Sequence, residues 1–345
     1  MELDYVFGSK DDFTKFIDSI GLYDKVAVLT HIDLDGLASG FFLEQILNAK
    51  GIKVDYMDFL DIKEDMVHEV SIKLREKGIS KVFFSDINVE SIDFEGFEEL
   101  REEMDVFLID HHPTGEKLEN KKNIIKTVSE DCSALAIFSL GEEFIDSESW
   151  GWLVCAAIFA DYSFRSEKNF EFLKSFYPEV QMDQLSSSIP GVNARRISSS
   201  LIYYRNDIFY VYNLIKEKKL EELSEIHELI EEEVYKIVDD FDENKEYYPK
   251  NDIYYYEIKS RFDVLSYVAT LIAGSDPDRN FIFVYREKGF VRISARSSNS
   301  KIDMGKLMKE GVYGFPESNG GGHIPSAAAK IREEDFEIFK KRVLG

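Results

Sequence analysis

At 345 residues the chain is longer than one core usually serves, and 44% hydrophobic with 31% charged residues marks a globular rather than a disordered protein. A formal charge of −24 argues against a long nucleic acid wrapped over the whole surface. The acid excess is uneven: positions 251–345 carry 15 Lys and Arg against 13 Asp and Glu, leaving 27 basic and 53 acidic residues elsewhere. That asymmetry fits an acidic, metal-binding part joined to a part that receives an anion, and it fits plain solubility equally well.

Met1–Phe13 carries acids and no apolar run behind a basic flank, so no signal peptide is expected. The longest apolar stretch, Trp152–Ala160, is too short to cross a bilayer. Cys132 and Cys155 offer neither metal spacing nor a disulfide framework, which points to a cytoplasmic protein with no membrane partner.

In chain order, short β-branched runs at Lys25–His31, Lys53–Phe59, Lys81–Ile87, Asp105–His111 and Asn123–Val128 read as strands. Between them lie amphipathic helical patterns at Leu37–Lys50, Asp65–Lys77 and Ser91–Glu103. Strand and helix alternating at this spacing predict an α/β fold with a doubly wound parallel sheet. A largely helical stretch follows from Cys132 to about Tyr247, its charged part Asn206–Asp240 reading as a solvated connector. Strands at Asp252–Ile258, Asn280–Tyr285 and Phe290–Ala295 then predict a smaller mixed α/β domain, with a glycine-rich turn at Asn319–His323. The expected division is a catalytic domain over 1–200, a helical linker over 201–250 and a substrate-binding domain over 251–345.

Acids and histidines gather where the N-terminal strands end: His31, Asp33 and Asp35 after the first, Asp86 after the third, Asp110, His111 and His112 after the fourth. Asp161 closes a later apolar segment. In a parallel sheet these ends share one rim, where ligands bind. If the His31–Asp35 segment is extended, its alternate residues point to one side. Gly36 then lets the backbone turn into the next helix. Crowded carboxylates repel and desolvate poorly without cations, and mixed imidazole and carboxylate donors suit Mn²⁺. Each piece alone has a plainer reading: a single Asp after a strand is more often a helix cap, and His111-His112 could be a turn. Four clusters in order at four strand ends weigh differently.

The segments Thr30–Gly40 (THIDLDGLASG), Phe83–Asn88 (FFSDIN), Leu108–Pro113 (LIDHHP) and Phe159–Tyr162 (FADY) resemble the four motifs of the DHH phosphoesterase superfamily. Asn319–Lys330 (NGGGHIPSAAAK) resembles the glycine-rich motif of the DHHA1 domain. The superfamily includes RecJ-like exonucleases, nano-RNases, cyclic dinucleotide phosphodiesterases and inorganic pyrophosphatases, the last with a different C-terminal domain. The resemblance implies a first metal on His31, Asp33 and Asp86, and a second on Asp35, His111 and Asp161, with Asp86 bridging. It implies Asp110 as a nearby acid, orienting or ligating, and His112 facing the substrate phosphate. Only one residue separates His31 from Asp33, a tighter spacing than the three of many members and similar to the RecJ-like branch.

In the C-terminal part Gly320, Gly321 and Gly322 let backbone N–H groups approach an anion, and His323 can bond a phosphate or a base. Ser326–Ala329 is expected to start a helix whose N-terminal amides favour negative charge. Arg292, Ser294, Arg296 and Ser298 alternate onto one strand face and offer guanidinium and hydroxyl donors. His68, His227, Arg195 and Arg196 have plain surface or linker readings, and Tyr254, Tyr255 and Tyr256 are explained by a strand. The expectation is a two-metal phosphodiesterase using Mn²⁺, with Mg²⁺ or Co²⁺ as substitutes, acting on short oligonucleotides or cyclic or linear dinucleotides. A homodimer stays open. The alternatives are a RecJ-like exonuclease on longer strands, working with replication or repair proteins, and a catalytically silent subunit.

Overall fold

The computed structural model describes residues 3–63, 65–322 and 324–345. Its contacts divide the chain into two compact units, Met1–His227 and Glu228–Gly345.

The first unit opens with β1 (Tyr5–Phe7), α1 (Lys10–Asp18), β2 (Val26–His31), α2 (Leu34–Ala49), β3 (Val54–Leu60) and α3 (Met66–Lys77). It continues through β4 (Lys81–Ser85), α4 (Val89–Ile92), α5 (Phe94–Glu103), β5 (Asp105–Asp110) and β6 (Ile124–Thr127). The helices α6 (Ser133–Leu140), α7 (Ser147–Ala160), α8 (Glu167–Phe176), α9 (Ile189–Tyr203) and α10 (Ile208–Lys216) follow. The strands form one sheet in the order β1-β6-β5-β4-β2-β3, parallel except for β1.

The inner strands β2, β4 and β5 are apolar along most of their length because both faces are covered. Val26, Val28, Phe83, Phe107 and Ile109 face a core shared with α1, α2 and the later helices. Ala27, Leu29, Val82, Phe84, Val106 and Leu108 face the core beneath α3 and α5. Phe83, Phe84 and Phe107 are fully buried, each contributing about 1.5–3 kcal/mol on transfer from water. Because β3 and β4 flank β2 on opposite sides, the connections reverse direction between β2 and β4. The crevice at such a reversal is where open α/β sheets take ligands.

The predicted helix Ser91–Glu103 is broken at Asp93 into α4 and α5. The Asp93 carboxylate accepts from Gly96 N at 3.0 Å and from Val67 N and His68 N at 2.9 and 3.1 Å, so it caps α5 and holds the start of α3 together. The stretch 201–250 is mainly helical, with its apolar side chains shared out. Val211, Tyr212 and Ile215 of α10 lie in the first unit's core. Phe241 of α11 (Ser224–Asn244) packs on Tyr256, Phe281 and Phe283 of the second unit.

The second unit contains β7 (Glu246–Tyr248), β8 (Ile253–Ile258), α12 (Leu265–Ser275), β9 (Asn280–Glu287) and β10 (Phe290–Ser297). It ends with α13 (Met304–Gly311), β11 (Asn319–Gly322), β12 (Ser326–Arg332) and α14 (Phe336–Leu344). The sheet order is β11-β12-β10-β9-β8-β7, mixed because β8 and β9 run parallel.

Two expectations fail here. The glycine-rich stretch is not a turn but the edge strand β11, with Gly320 opposite Ala329 and Gly322 opposite Ala327. Ser326–Ala329 does not start a helix; it opens β12, so no helix N-terminus waits there for an anion. Alanine prefers helix, yet Ala327, Ala329 and Ile331 alternate into the core, and pairing on both sides overrides the propensity. A Cβ on Gly320 would meet Met308 O at 2.8 Å and Val312 Cγ1 at 2.9 Å, so this glycine lets the edge strand lie close over α13. Among the described residues no helix is long and apolar enough to cross a membrane.

Candidate metal centre and active site

The carboxyl rim of the first sheet gathers the N-terminal candidates, though by a different route for the first three. His31 ends β2, while Asp33 is the N-cap of α2 and accepts from Gly36 N at 3.0 Å. Asp35 already lies in the first helical turn, so a strand-to-helix turn and not a continuous extended segment places them. A Cβ on Gly36 would sit 2.2 Å from His31 O, so only glycine allows that turn.

The three residues consequently separate into two groups. His31, Asp33 and Asp86 can present one donor atom each within 4.8 Å of one another, as can Asp35, His111 and Asp161. His31 Nδ1 stands 3.0 Å from Asp33 Oδ2 and 3.6 Å from Asp86 Oδ2. His111 Nε2 stands 3.5 Å from Asp86 Oδ1, 3.6 Å from Asp161 Oδ2 and 4.0 Å from Asp35 Oδ2. Asp86 thus turns one oxygen to each group. It directly follows β4, with its N–H donated to Ile109 O, and adopts a left-handed backbone at φ 59°. Such a conformation is strained for a residue with a side chain and gathers at functional sites.

Charge and satisfaction test whether cations fit. Both ring nitrogens of the buried His111, and Asp86 Oδ2, lack a hydrogen-bond partner, although buried polar groups are nearly always paired. Burial, with Asp86 and Asp161 nearby, holds the Asp35 carboxyl well above the usual range. Burial likewise pushes Asp161 up to about 7 against the pull of His111. Burial alone would lower His31 and His111, but the surrounding carboxylates hold both well above ordinary histidine. In Asp86 the two imidazoles outweigh burial and keep the carboxyl well below its usual value. The cluster therefore carries more negative charge than it can bury and borrows protons on histidine to offset it. Divalent cations would take the place of those protons, and the donor set fits them.

Asp35 is oriented from behind: its two oxygens accept from Ser133 N and Ala134 N, each at 2.8 Å, at the start of α6. Asp161 does not follow a strand, contrary to the expectation of four strand ends: the apolar segment before it is the helix α7, whose C-terminus it caps, and it accepts from Ser163 Oγ at 3.5 Å. Asp110 differs from the others. Its Oδ1 lies 2.7 Å from His112 Nδ1, and its Oδ2 pairs with the fully buried Lys126 Nζ. Burial opposes its charge, but His112 and Lys126 hold its carboxyl well below the usual range. Each oxygen of Asp110 thus has a partner within its own surroundings, an arrangement that suits an orienting acid. His112 is also close enough to Asp86 and His111 to share a donor group with them, and its ring is about one third exposed.

The C-terminal candidates sit differently. The alternation on β10 is as expected: Val291, Ile293 and Ala295 face the core, and the arginines the opposite side. That side lies against α12 and the residues before it. Arg292 pairs with Asp263 Oδ2 at 2.5 Å. Arg296 donates to Ala295 O, Ser266 Oγ and Thr270 Oγ1 at 3.1–3.5 Å. Ser298 Oγ donates to Ala273 O at 3.2 Å, and Ser294 is buried. Gly320, Gly321 and Gly322 lie on β11, while His323 falls outside the described residues. Of the side chains set aside, His227 is not merely solvated: its Nδ1 lies 3.2 Å from Ser199 Oγ. Arg196 pairs with Glu221, and Tyr255 and Tyr256 are buried on β8.

Sequence reasoning passed over Lys126, Ser133 and Glu90. Glu90 accepts from Thr114 Oγ1, Gly115 N and Lys117 N at 2.7–2.9 Å and pins the loop behind His112. A lone lysine inside the apolar run Ile124–Val128 was the signal available for Lys126.

Known proteins match this arrangement. The sequence fits the profile of the DHH family, N-terminal domain, over residues 25–160, and that of the DHHA1 domain over residues 252–344. The chain belongs to the DHH/DHHA1 family. No curated protein matches it at a significant level. Among solved structures, RecJ of Thermus thermophilus in complex with Mn²⁺ is similar at 16% identity and a TM-score of 0.71. That match covers 97% of this chain and 53% of RecJ, so the DHH/DHHA1 chain spans about half of that protein. The same RecJ is also known in complex with Mg²⁺. The DHH domain of a protein described as belonging to a family of ribosomal proteins matches at 17% identity, TM-score 0.69, over 97% of this chain and 90% of its own. CDC45 from Entamoeba histolytica matches at 12% identity, TM-score 0.57, over 97% of both chains. These identities establish a shared fold. DHH-family proteins are generally metal-dependent hydrolases.

Proposed function

We propose that this DHH/DHHA1 protein is a Mn²⁺-dependent phosphodiesterase that hydrolyses short oligonucleotides or linear or cyclic dinucleotides to mononucleotides. The observation that carries the reading is the pair of donor groups around Asp86: His31 with Asp33 on one side, Asp35 with His111 and Asp161 on the other. When bound, a pair of divalent cations supplies Lewis-acid polarisation of a phosphoryl oxygen and an acidified water. Mixed imidazole and carboxylate donors favour Mn²⁺ over Mg²⁺ and leave Co²⁺ as a substitute.

The chain's own groups do the rest. Asp110 accepts a hydrogen bond from His112 Nδ1–H and, against burial, raises the ring's proton affinity, so that the imidazolium Nε2–H holds a phosphate oxygen or delivers its proton to the leaving oxygen. β11 is an edge strand, so part of its backbone along Gly320–Gly322 has no strand partner and is offered to an anion, with Arg296 and His323 as further donors. Arg292 and Ser298 would join only by exchanging Asp263 and Ala273 O for the phosphate. A small set of cations beside an overall charge of −24 favours a short substrate over a long track.

The fold shared with RecJ over 97% of the chain supports a second reading, an exonuclease on longer single strands. A silent subunit fits worst, because every expected donor position is filled. The test is a length series of 5′-labelled RNA and DNA from dimers to about 25-mers, with cyclic di-AMP and pApA, in Mn²⁺. Turnover that fades with length supports the short-substrate enzyme. Processive loss of long strands moves the protein to the exonuclease reading, and silence on every substrate removes the enzyme.

A further inference from the structure

We infer that Lys126 is a positioning residue for His112, acting through Asp110 and through the His112 main chain. The inference rests on the phosphodiesterase reading for its kinetic part and on geometry alone for its structural part.

Lys126 is the charged residue in β6, and the sheet register places it directly beside Asp110 of β5. On its other side β1 pairs with β6, with Phe7 opposite Lys126, so the strand is not an open edge there. The side chain is fully buried, as is that of Asp110. Its ammonium donates to Asp110 Oδ2 and, at 2.9 Å, to the carbonyl oxygen of His112. Asp110 Oδ1 in turn faces His112 Nδ1 at 2.7 Å.

One ammonium thus fixes His112 twice. It holds the carboxylate that orients the ring, and it tethers the backbone that carries the ring. Stability does not call for such a pair: apolar residues of similar volume usually serve a core as well or better, and removing one partner strands a buried charge. What the pair supplies is a defined direction for an imidazole at the edge of the candidate metal centre. Partners of this kind, one shell behind a reacting or ligating histidine, typically matter 10–100-fold.

The experiment compares the full chain with Lys126→Met and Lys126→Arg. Each is assayed on pApA with Mn²⁺ for kcat and KM, and the Mg²⁺-loaded, histidine-labelled protein is followed by ¹⁵N–¹H NMR. In the unmodified protein His112 is expected to show a slowly exchanging, downfield Nδ1 proton. Lys126→Met is expected to lose that signal, with kcat lower by about tenfold or more and KM within about twofold, while metal content is unchanged. Lys126→Arg, which keeps charge and donors, is expected to restore part of both. A folded Lys126→Met with unchanged kcat and an intact Nδ1 signal overturns the inference. So does absence of that signal from the unmodified protein, a result that needs no variant to fold. If no phosphodiester is turned over, the functional reading fails, and the Nδ1 signal still decides the positioning role.

Discussion

The two units hold their candidate side chains in opposite ways. Around the first sheet's rim, His111 and Asp86 are buried with unpaired polar atoms, and burial among neighbouring carboxylates raises the proton affinity of Asp35 and Asp161. On and just beyond β10, Arg292 and Ser298 already bond their own neighbours. An unsatisfied, strained cluster is built around something to be bound tightly and permanently; a satisfied one must trade bonds when its ligand arrives. Under the proposed function, the contrast fits resident cations in the first unit and an exchangeable anion on the second.

The largest effect should come from Asp86, the group common to both halves of the rim. Asp86→Asn keeps the shape and tolerates the left-handed backbone, as asparagine does, yet removes the charge. Turnover is expected to fall at least about a hundredfold, the scale seen when one charge-stabilising group is removed, with bound metal reduced in elemental analysis. Unchanged metal content would break the assignment. Next is chelation. EDTA is expected to abolish turnover and lower the thermal midpoint, since a ligand at a hundred times its Kd contributes about 2.7 kcal/mol. Mn²⁺ should restore both better than Mg²⁺, whereas the same treatment should leave the unfolding of the isolated second unit untouched if that piece folds alone.

The third effect is a pH dependence. His31 and His111 hold protons tightly, and Asp35 and Asp161 also titrate high, so cation binding must displace protons. Metal affinity is therefore expected to rise with pH, and calorimetry in two buffers of different ionisation enthalpy should register proton release. Zero release would contradict the crowded-acid account. The smallest effect separates two glycines of β11. Gly320→Ala forces a Cβ against Met308 O and Val312, at a cost of about 1–3 kcal/mol in thermal unfolding. Gly321→Ala meets no atom within 4 Å and is expected to cost much less.

Much of the first unit was legible because period-two burial and turn chemistry agree there. Val26–Leu29 and Phe83–Phe84 alternate between two cores, and His31, Asp86 and Asp110 sit at or just past the ends of β2, β4 and β5. The His31–Asp35 segment yielded the right residues by the wrong geometry, since a helix begins within it. In the second unit local propensity misled: alanines read as helix and glycines as a turn, while pairing across β10, β12 and β11 decided the outcome. Lys126 escaped notice because its meaning lies in a neighbour across the sheet, which a linear pattern does not display.

The short strand β1 carries a consequence for how the molecule is made. On the ribosome Tyr5–Phe7 emerges well before β6, its partner about 120 residues later, and contacts that distant close late. The nascent rim can assemble β2 through β5 while the flank of Lys126 still lies open. Sealing that flank waits until β6 has been made, so a change that weakens β1 is expected to be felt at His112, a residue far from it in sequence.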